Sequence, residues 1–257
     1  MATFLFDKII FGPVKSRRLG VSLGINLLPN DSKYCTYDCV YCECGWTYKN
    51  HKAKLHSRGE VYKALDTMLQ QMQSDGNPPD NITFAGNGEP TVHPDFEGII
   101  KDTIELRDKH FPKAKISVLS NATQVHKETV MRALKMVDQN ILKLDTANDD
   151  LLRIINRPTG KLDTRTIVER LKKFEGDLTI QTMFIKGSYN GDNFDNTTPK
   201  EVAAWLELLK EIKPKSVMVY PIERDTPTNG LFKISKTELE EIGSQVRAIG
   251  IETFVYA

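Results

Sequence analysis

From residue 80 onward, short β-branched runs alternate with longer amphipathic stretches. The runs at 82–85, 115–119, 141–145, 178–185 and 216–221 predict strands, and 95–109, 127–136, 164–174, 199–212 and 236–249 predict helices. Ahead of them, 19–28 reads as a strand and 59–73 as a helix, with a cysteine-bearing loop between. Pro199 sits at a natural helix start, with Thr197 or Thr198 as its cap and Glu201 in the first turn. The helix near Thr164 opens on Asp163 or Thr164 and carries a supporting charge pair from Glu169 to Lys173.

Six strand–helix units thus follow one another with no Pro/Gly/Ser-rich linker, which predicts a single domain over residues 1–257. Strict β-then-α order implies parallel strands joined by right-handed crossovers. The strand runs are almost continuously apolar, the pattern of strands covered on both faces. Six units are too few to close an eight-fold barrel. The expected fold is therefore α/β, a partial (β/α)6 barrel of parallel strands, with a doubly wound sheet as the alternative that pattern leaves open.

Composition narrows the function classes. With 40% apolar and 27% charged residues in 257, the chain can bury a full-sized core, which excludes intrinsic disorder and a disulfide-dense scaffold. Thirty-five Lys+Arg against 34 Asp+Glu leave a net charge of +1, which argues against a general polyanion binder. No apolar run approaches the roughly 18 residues of a membrane span. The apolar start is broken by Asp7 and Lys8 and lacks a basic leader, so it does not read as a signal peptide. The expectation is a cytoplasmic protein with no membrane partner.

All four cysteines lie between Cys35 and Cys44, too close together to staple distant segments as disulfides. Cys35, Cys39 and Cys42 offer three thiolates just after the first strand, in a loop at 33–45. Soft thiolates suit iron–sulfur clusters, Zn or Cu(I). A structural Zn site wants four ligands, usually as two separated pairs, and Cys44 follows Cys42 too closely to complete one comfortably. Three cysteines on a 4Fe–4S cluster would leave one iron open. In this architecture ligands gather at the carboxyl ends of the strands, and those ends are polar or glycine-rich here. Strand two runs into Gly86-Asn87-Gly88-Glu89-Pro90, strand three into Ser120-Asn121, strand four into Lys143-Leu144-Asp145, and strand five carries Gln181.

The spacing of Cys35, Cys39 and Cys42, with Tyr41 as the aromatic before the last cysteine, resembles the cluster motif of radical S-adenosylmethionine (radical SAM) enzymes. Gly86 to Pro90 is similar to their Gly-Gly-Glu-Pro motif, although Asn87 separates the glycines. The stretch from Phe11 to Gly20, with Gly24-Ile25-Asn26-Leu27 after it, resembles a radical SAM subgroup distantly similar to the enzymes that make wybutosine in tRNA. The resemblance implies a 4Fe–4S cluster on Cys35, Cys39 and Cys42, and SAM chelating the open iron. Reductive cleavage of SAM would yield a 5′-deoxyadenosyl radical that abstracts hydrogen from a substrate. It also implies an electron donor such as flavodoxin or ferredoxin. The candidates for SAM contact are Gly86, Asn87, Gly88, Glu89, Ser120, Asn121, Lys143, Asp145 and Gln181.

Each candidate has a plainer reading. Gly86 and Gly88 would let backbone approach a ligand, and Glu89 would accept from the SAM ammonium or else be a solvated turn carboxylate. Lys143 and Asp145 share a strand face, as a buried bridge or as ligand contacts. Asn156-Arg157-Pro158 would hold an anionic substrate or present a surface arginine. Lys49, Lys52, Lys54 and Arg58, interleaved with His51 and His56, form a basic run that is a solvated face or an RNA contact. The substrate is a small molecule or a tRNA. A different class of reading is a non-catalytic Zn-binding module.

Overall fold

The computed structural model describes residues 4–47 and 54–257. In chain order the strands are β1 (Ile10–Ser16), β2 (Gly20–Ile25), β3 (Asn81–Phe84), β4 (Lys115–Ser120), β5 (Gln139–Lys143), β6 (Thr179–Met183), β7 (Ile185–Tyr189), β8 (Asp192–Asp195), β9 (Ser216–Tyr220), β10 (Leu231–Lys233) and β11 (Glu252–Val255). The helices are α1 (Arg58–Ser74), α2 (Phe96–His110), α3 (Glu128–Met136), the single turn α4 (Asp149–Leu151), α5 (Thr164–Lys172), α6 (Pro199–Ile212) and α7 (Lys236–Ala248).

Among the described residues one eight-stranded sheet runs in the order β1-β2-β3-β4-β5-β6-β9-β11. Every neighbouring pair from β2 to β11 is parallel, and β1 is added antiparallel at the margin. The order never reverses. A doubly wound sheet needs a reversal, whereas a one-way order curls the sheet and keeps the crossover helices on its convex side. The helices pack there on their sequence neighbours, α1 on α2, α2 on α3 and α5 on α6. The β1–β2 turn crosses to the other side of the curl, where Arg17 pairs with Glu223 at 3.5 Å and the Arg18 guanidinium lies 4.7 Å from the centre of the Tyr220 ring.

Both faces of the strands are buried, but they differ chemically, which corrects the expectation of apolar cover on each side. Leu23, Ile25, Ile82, Phe84, Ile116, Val118, Ile180, Val217 and Val219 form the apolar face. Many of the alternate positions are polar and bonded to one another across the strands, with Leu119, Ile141 and Met218 as apolar exceptions. The Ser22 and Thr83 hydroxyls pair at 2.7 Å, Thr83 donates to Asn81 at 3.0 Å, and Asn81 and Ser117 donate to Gln139 at 3.1 and 2.8 Å. Thr179 and Ser216 pair at 2.9 Å. Helices cover one side only, so the concave side must satisfy its own surface, and short hydroxyls and amides do so by hydrogen bonding.

Other differences from the expected elements are local. The run at 178–185 splits at Phe184, because Asn196 accepts from the Ile185 amide at 2.7 Å and donates to the Met183 carbonyl at 2.9 Å. The chain then turns into a separate antiparallel sheet, β10-β7-β8. β5 ends at Lys143 rather than at Asp145, whose carboxylate instead accepts from the Met183 amide at 3.0 Å. Glu169 pairs with Arg165 and Lys172 rather than Lys173, because α5 ends at Lys172. Thr198 and Asp163 cap α6 and α5 as expected.

Candidate functional site

The loop leaving β2 and the turn leaving β3 are built against each other. Asn26 is fully buried, and its Oδ1 accepts from the amides of Leu28 at 3.2 Å and Asn87 at 3.1 Å. Tyr34 donates to the Asn87 carbonyl at 2.8 Å, and Glu89 donates back to the Tyr34 carbonyl at 3.1 Å. Gly86 and Gly88 adopt φ of +134° and +137°. A Cβ on Gly88 would stand 2.0 Å from the Tyr34 carbonyl oxygen, and one on Gly86 would stand 2.5 Å from Asn26 Oδ1. The glycines therefore let the two loops close on each other, a role separate from the ligand approach expected of them. The Asn87 amide is committed to the start of the chain, donating to the carbonyls of Phe6 at 2.9 Å and Pro29 at 2.8 Å.

The cysteine segment folds over the barrel mouth in two short turns, Cys42 amide to Cys39 carbonyl and Gly45 amide to Cys42 carbonyl. Cys39 is buried, and Cys35, Cys42 and Cys44 are half-buried. Amide donors point at two of the sulfurs. Cys35 Sγ accepts from the Tyr37 amide at 3.4 Å and Asn121 Nδ2 at 3.6 Å, and Cys39 Sγ accepts from Asn156 Nδ2 at 3.6 Å. Burial pushes the Cys35 and Cys39 thiols up, partly offset by neighbouring lysines. Cys42 is instead pulled down to about 6, chiefly by a hydrogen bond from Cys44, whose own thiol is pushed up. Cys44 Sγ also donates to the Gly86 carbonyl at 3.4 Å.

Lys33 is buried beneath these thiols, its side chain 1% exposed. Its ammonium donates to Asp38 Oδ1 at 3.2 Å and to the Gly45 carbonyl at 3.0 Å. Burial opposes its charge, but Cys42, Cys35, Cys39 and Asp38 together hold it above the usual lysine range.

Among the described residues no three His, Cys, Asp or Glu side chains converge on one metal ion. A cluster spreads its thiolates over separate irons, so its ligands stand wider apart than those of a single ion. Three thiols on one loop, two of them met by N–H donors, with a buried ammonium bonded into the same loop, fit such a group.

Glu89 is 2% exposed, which excludes a solvated turn carboxylate. Its Oε1 accepts from the Thr91 amide and hydroxyl and from Ser120 Oγ at 2.8 Å, while Oε2 accepts from the Asn121 amide at 2.6 Å. Burial raises the Glu89 carboxyl, and these donors pull it back. Ser120 and Asn121 thus join the Glu89 turn to the cluster loop, since Asn121 Nδ2 also donates to Thr36 at 2.9 Å.

On the next strand, Lys143 and Asp145 do form a buried pair at 3.5 Å, but within a larger network. Asp145 Oδ2 accepts from the Tyr41 hydroxyl and from Asn156 Nδ2 at 2.7 Å, and Lys143 donates to Tyr41 Oη at 2.9 Å. Burial opposes the Lys143 charge, and Asp145 and Tyr220 hold it above the usual range. Gln181 neighbours Lys143 in register, donates to the Ile141 carbonyl at 3.3 Å and accepts from the Tyr220 hydroxyl at 3.3 Å.

Arg157 has a left-handed φ of +49° and stacks on Tyr189 and Trp46, at 4.7 and 5.5 Å, rather than extending from the surface. Of the basic run, Lys49, His51 and Lys52 lie outside the described residues. Arg58 is spent on Asp102, and His56 on Asn30. Sequence reasoning missed Lys33 and Asn26, and it read Asn156 as a substrate contact where the structure makes it a partner of Cys39, Tyr41 and Asp145. For Lys33 a signal existed, a lysine two residues before the first cysteine.

Residues 30–197 match the family model of the Radical SAM superfamily. The chain belongs to that superfamily. This radical SAM chain is 32% identical over 238 residues to a UPF0026 protein of Methanocaldococcus jannaschii, covering 90% of this chain and 68% of that protein. A UPF0026 protein of Helicobacter pylori is 33% identical over 91% of this chain and 71% of its own length. A Brachyspira hyodysenteriae protein named GTPase Obg is 27% identical over 92% of this chain, which spans only 33% of that protein.

The fold is shared with a radical SAM methyltransferase from Sphaerobacter thermophilus (TM-score 0.64, 16% identity, 91% of this chain and 66% of that one). It is shared too with Streptococcus suis SuiB bound to S-adenosylmethionine (0.63, 17%, 88% and 49%) and with archaeal TYW1 (0.54, 13%, 88% and 71%). The radical SAM superfamily is one of enzymes that use a 4Fe–4S cluster and SAM, and the chain spans about half the length of several of the solved structures that share its fold. No helix among the described residues is long and apolar enough to cross a membrane.

Proposed function

We propose that Cys35, Cys39 and Cys42 hold the 4Fe–4S cluster and that SAM binds beside it over the Gly86–Glu89 turn. The observation that carries this reading is the meeting of the two loops, where the Glu89 carboxylate and the Cys35 sulfur share Asn121 as a donor. The bound cofactors supply reductive cleavage of SAM to a 5′-deoxyadenosyl radical, which takes hydrogen from an unactivated C–H bond. The chain's own work is to bind, orient and exclude water.

Glu89 Oε2 accepts one protein hydrogen bond and retains capacity for the SAM ammonium. Gly86, Gly88 and the spent amide of Asn87 set the distance between the loops. Ser120 and Asn121 hold Glu89 in place, and Lys143, Asp145 and Gln181 line the barrel side of the same space. The substrate is a small molecule, in keeping with a net charge of +1, and a one-electron protein donor such as flavodoxin or ferredoxin supplies the reductant.

The test is anaerobic reconstitution of the parent and of four single Cys→Ala variants, reading bound iron, visible absorbance and 5′-deoxyadenosine. Cys35→Ala, Cys39→Ala and Cys42→Ala each lose the cluster and SAM cleavage, while Cys44→Ala keeps near-parent iron. A colourless Zn protein, or a Cys44→Ala variant that loses iron while Cys35→Ala keeps it, overturns the reading.

A further inference from the structure

We propose that Lys33 is a built-in counter-charge that raises the reduction potential of the cluster, a role that rests on the functional reading above. Three thiolates make the site negative, and reduction adds a further negative charge. In a buried setting a fixed cation close by stabilises the reduced form more than the oxidised one.

Lys33 is placed for this in a way no surface lysine is. Its side chain is 1% exposed, and two of its N–H groups are tied, to Asp38 inside the cysteine loop and to the Gly45 carbonyl at the end of it. An ammonium has three donors, so those two bonds leave one uncommitted inside the loop that carries the thiols. Asp38 does not cancel the charge for the site, because its carboxylate is 21% exposed and also accepts from the Thr47 amide at 2.8 Å. The side chains that donate to the sulfurs, Asn121 and Asn156, are neutral amides, and the nearby Glu89 carboxylate is met by donors from Thr91, Ser120 and Asn121. The other nearby cation, Lys143, is paired at 3.5 Å with Asp145, whose carboxylate, unlike that of Asp38, is fully buried.

Two roles for Lys33 have different consequences. A purely structural lysine would hold the loop shape and leave the potential alone. A counter-charge sets the potential, and any cation at that position would restore it.

The experiment is an EPR-monitored redox titration of the reconstituted cluster without SAM, with iron content measured alongside. It compares the parent with Lys33→Arg, Lys33→Met and the double variant Lys33→Met/Asp38→Asn, which removes both charges while keeping an acceptor for Thr47. The expected result is parent-like potential in Lys33→Arg and a more negative potential in both methionine variants. The one-electron equilibrium should shift by at least about tenfold, about 59 mV. Should Lys33→Met bind little iron, the double variant carries the measurement. A methionine variant with full iron and an unshifted potential overturns the inference, as does iron loss in both methionine variants. A parent that forms no EPR-active cluster overturns the functional reading instead.

Discussion

The two faces of the central sheet do different work. On the convex face, Ile82, Phe84, Ile116 and Val118 are fully buried against the helices, each worth about 1.5–3 kcal/mol by removal of apolar surface from water. On the concave face, Ser22, Asn81, Thr83 and Ser117 are as deeply buried but meet one another through hydrogen bonds, with a net value of about 1 kcal/mol apiece. The convex face stores stability. The concave face contributes less but is directional, and it holds a polar lining in one geometry below the strand ends where the charged residues gather. On the proposed reading, in which SAM and the cluster bind at the strand ends, such a site gains from fixed dipoles more than from apolar cover.

The largest expected effect lies on the convex face. Phe84→Ala removes a ring in edge contact with Phe96 at 6.0 Å and should cost about 3–5 kcal/mol in a denaturant titration. Bound iron per folded chain should stay at the parent value. Parent-like stability in this variant would break the comparison.

At the top of the concave face, Asp145→Leu strands the Lys143 charge and should also cost about 3–5 kcal/mol. Adding Lys143→Met should recover only part of it, because Tyr41, Asn156 and the Met183 amide have still lost their acceptor. Full recovery in the double variant would reduce the network to its ion pair. Production of 5′-deoxyadenosine should fall in every one of these variants.

Lower on the same face, Thr83→Val preserves shape and leaves Ser22 and Asn81 each short of a partner. The expected loss is about 1–3 kcal/mol, read as a fall in the denaturation midpoint. A loss as large as that of Phe84→Ala would mean the polar face stores stability too.

The smallest effect belongs to the outer helix surface. Hydrogen bonds from Arg132 and Lys101 hold the Glu97 carboxyl down at about 2, below its ordinary 4.5. A depressed carboxyl contributes stability above its unfolded value and loses it as pH falls through the folded one, so the loss should run from about pH 4.5 down to about 2. Arg132→Ala should flatten that part of the acid titration and leave the neutral-pH midpoint almost unchanged. An unchanged acid limb would remove this ion pair from the stability of the helical layer.

Much of this was legible because it is local. Caps, helix starts and the positions of six parallel strands depend on neighbours a few residues away, and Thr198, Asp163 and the β3–α2 unit stand where the pattern puts them. The three-cysteine spacing and the Gly86–Pro90 turn are local as well. The polar concave face was also present in the chain, in the alternation Asn81-Ile82-Thr83-Phe84. It was obscured because burial on both sides made the runs look uniformly apolar. β7, β8 and β10 escaped prediction because they depend on Asn196 halting β6, an event with no local signature.

Spacing along the chain thus settled the order of six strand–helix units, their parallel topology and the position of the thiol loop. The curl of the sheet settled the partners. It set Asn156 against Cys39, 117 residues away, Asn121 against Cys35 across 86, and Tyr41 against Asp145 across 104. Local preference acts over a turn of helix or a pair of strands. Which buried polar groups meet depends on how tightly seven parallel strands wrap, and that is a property of the packed whole.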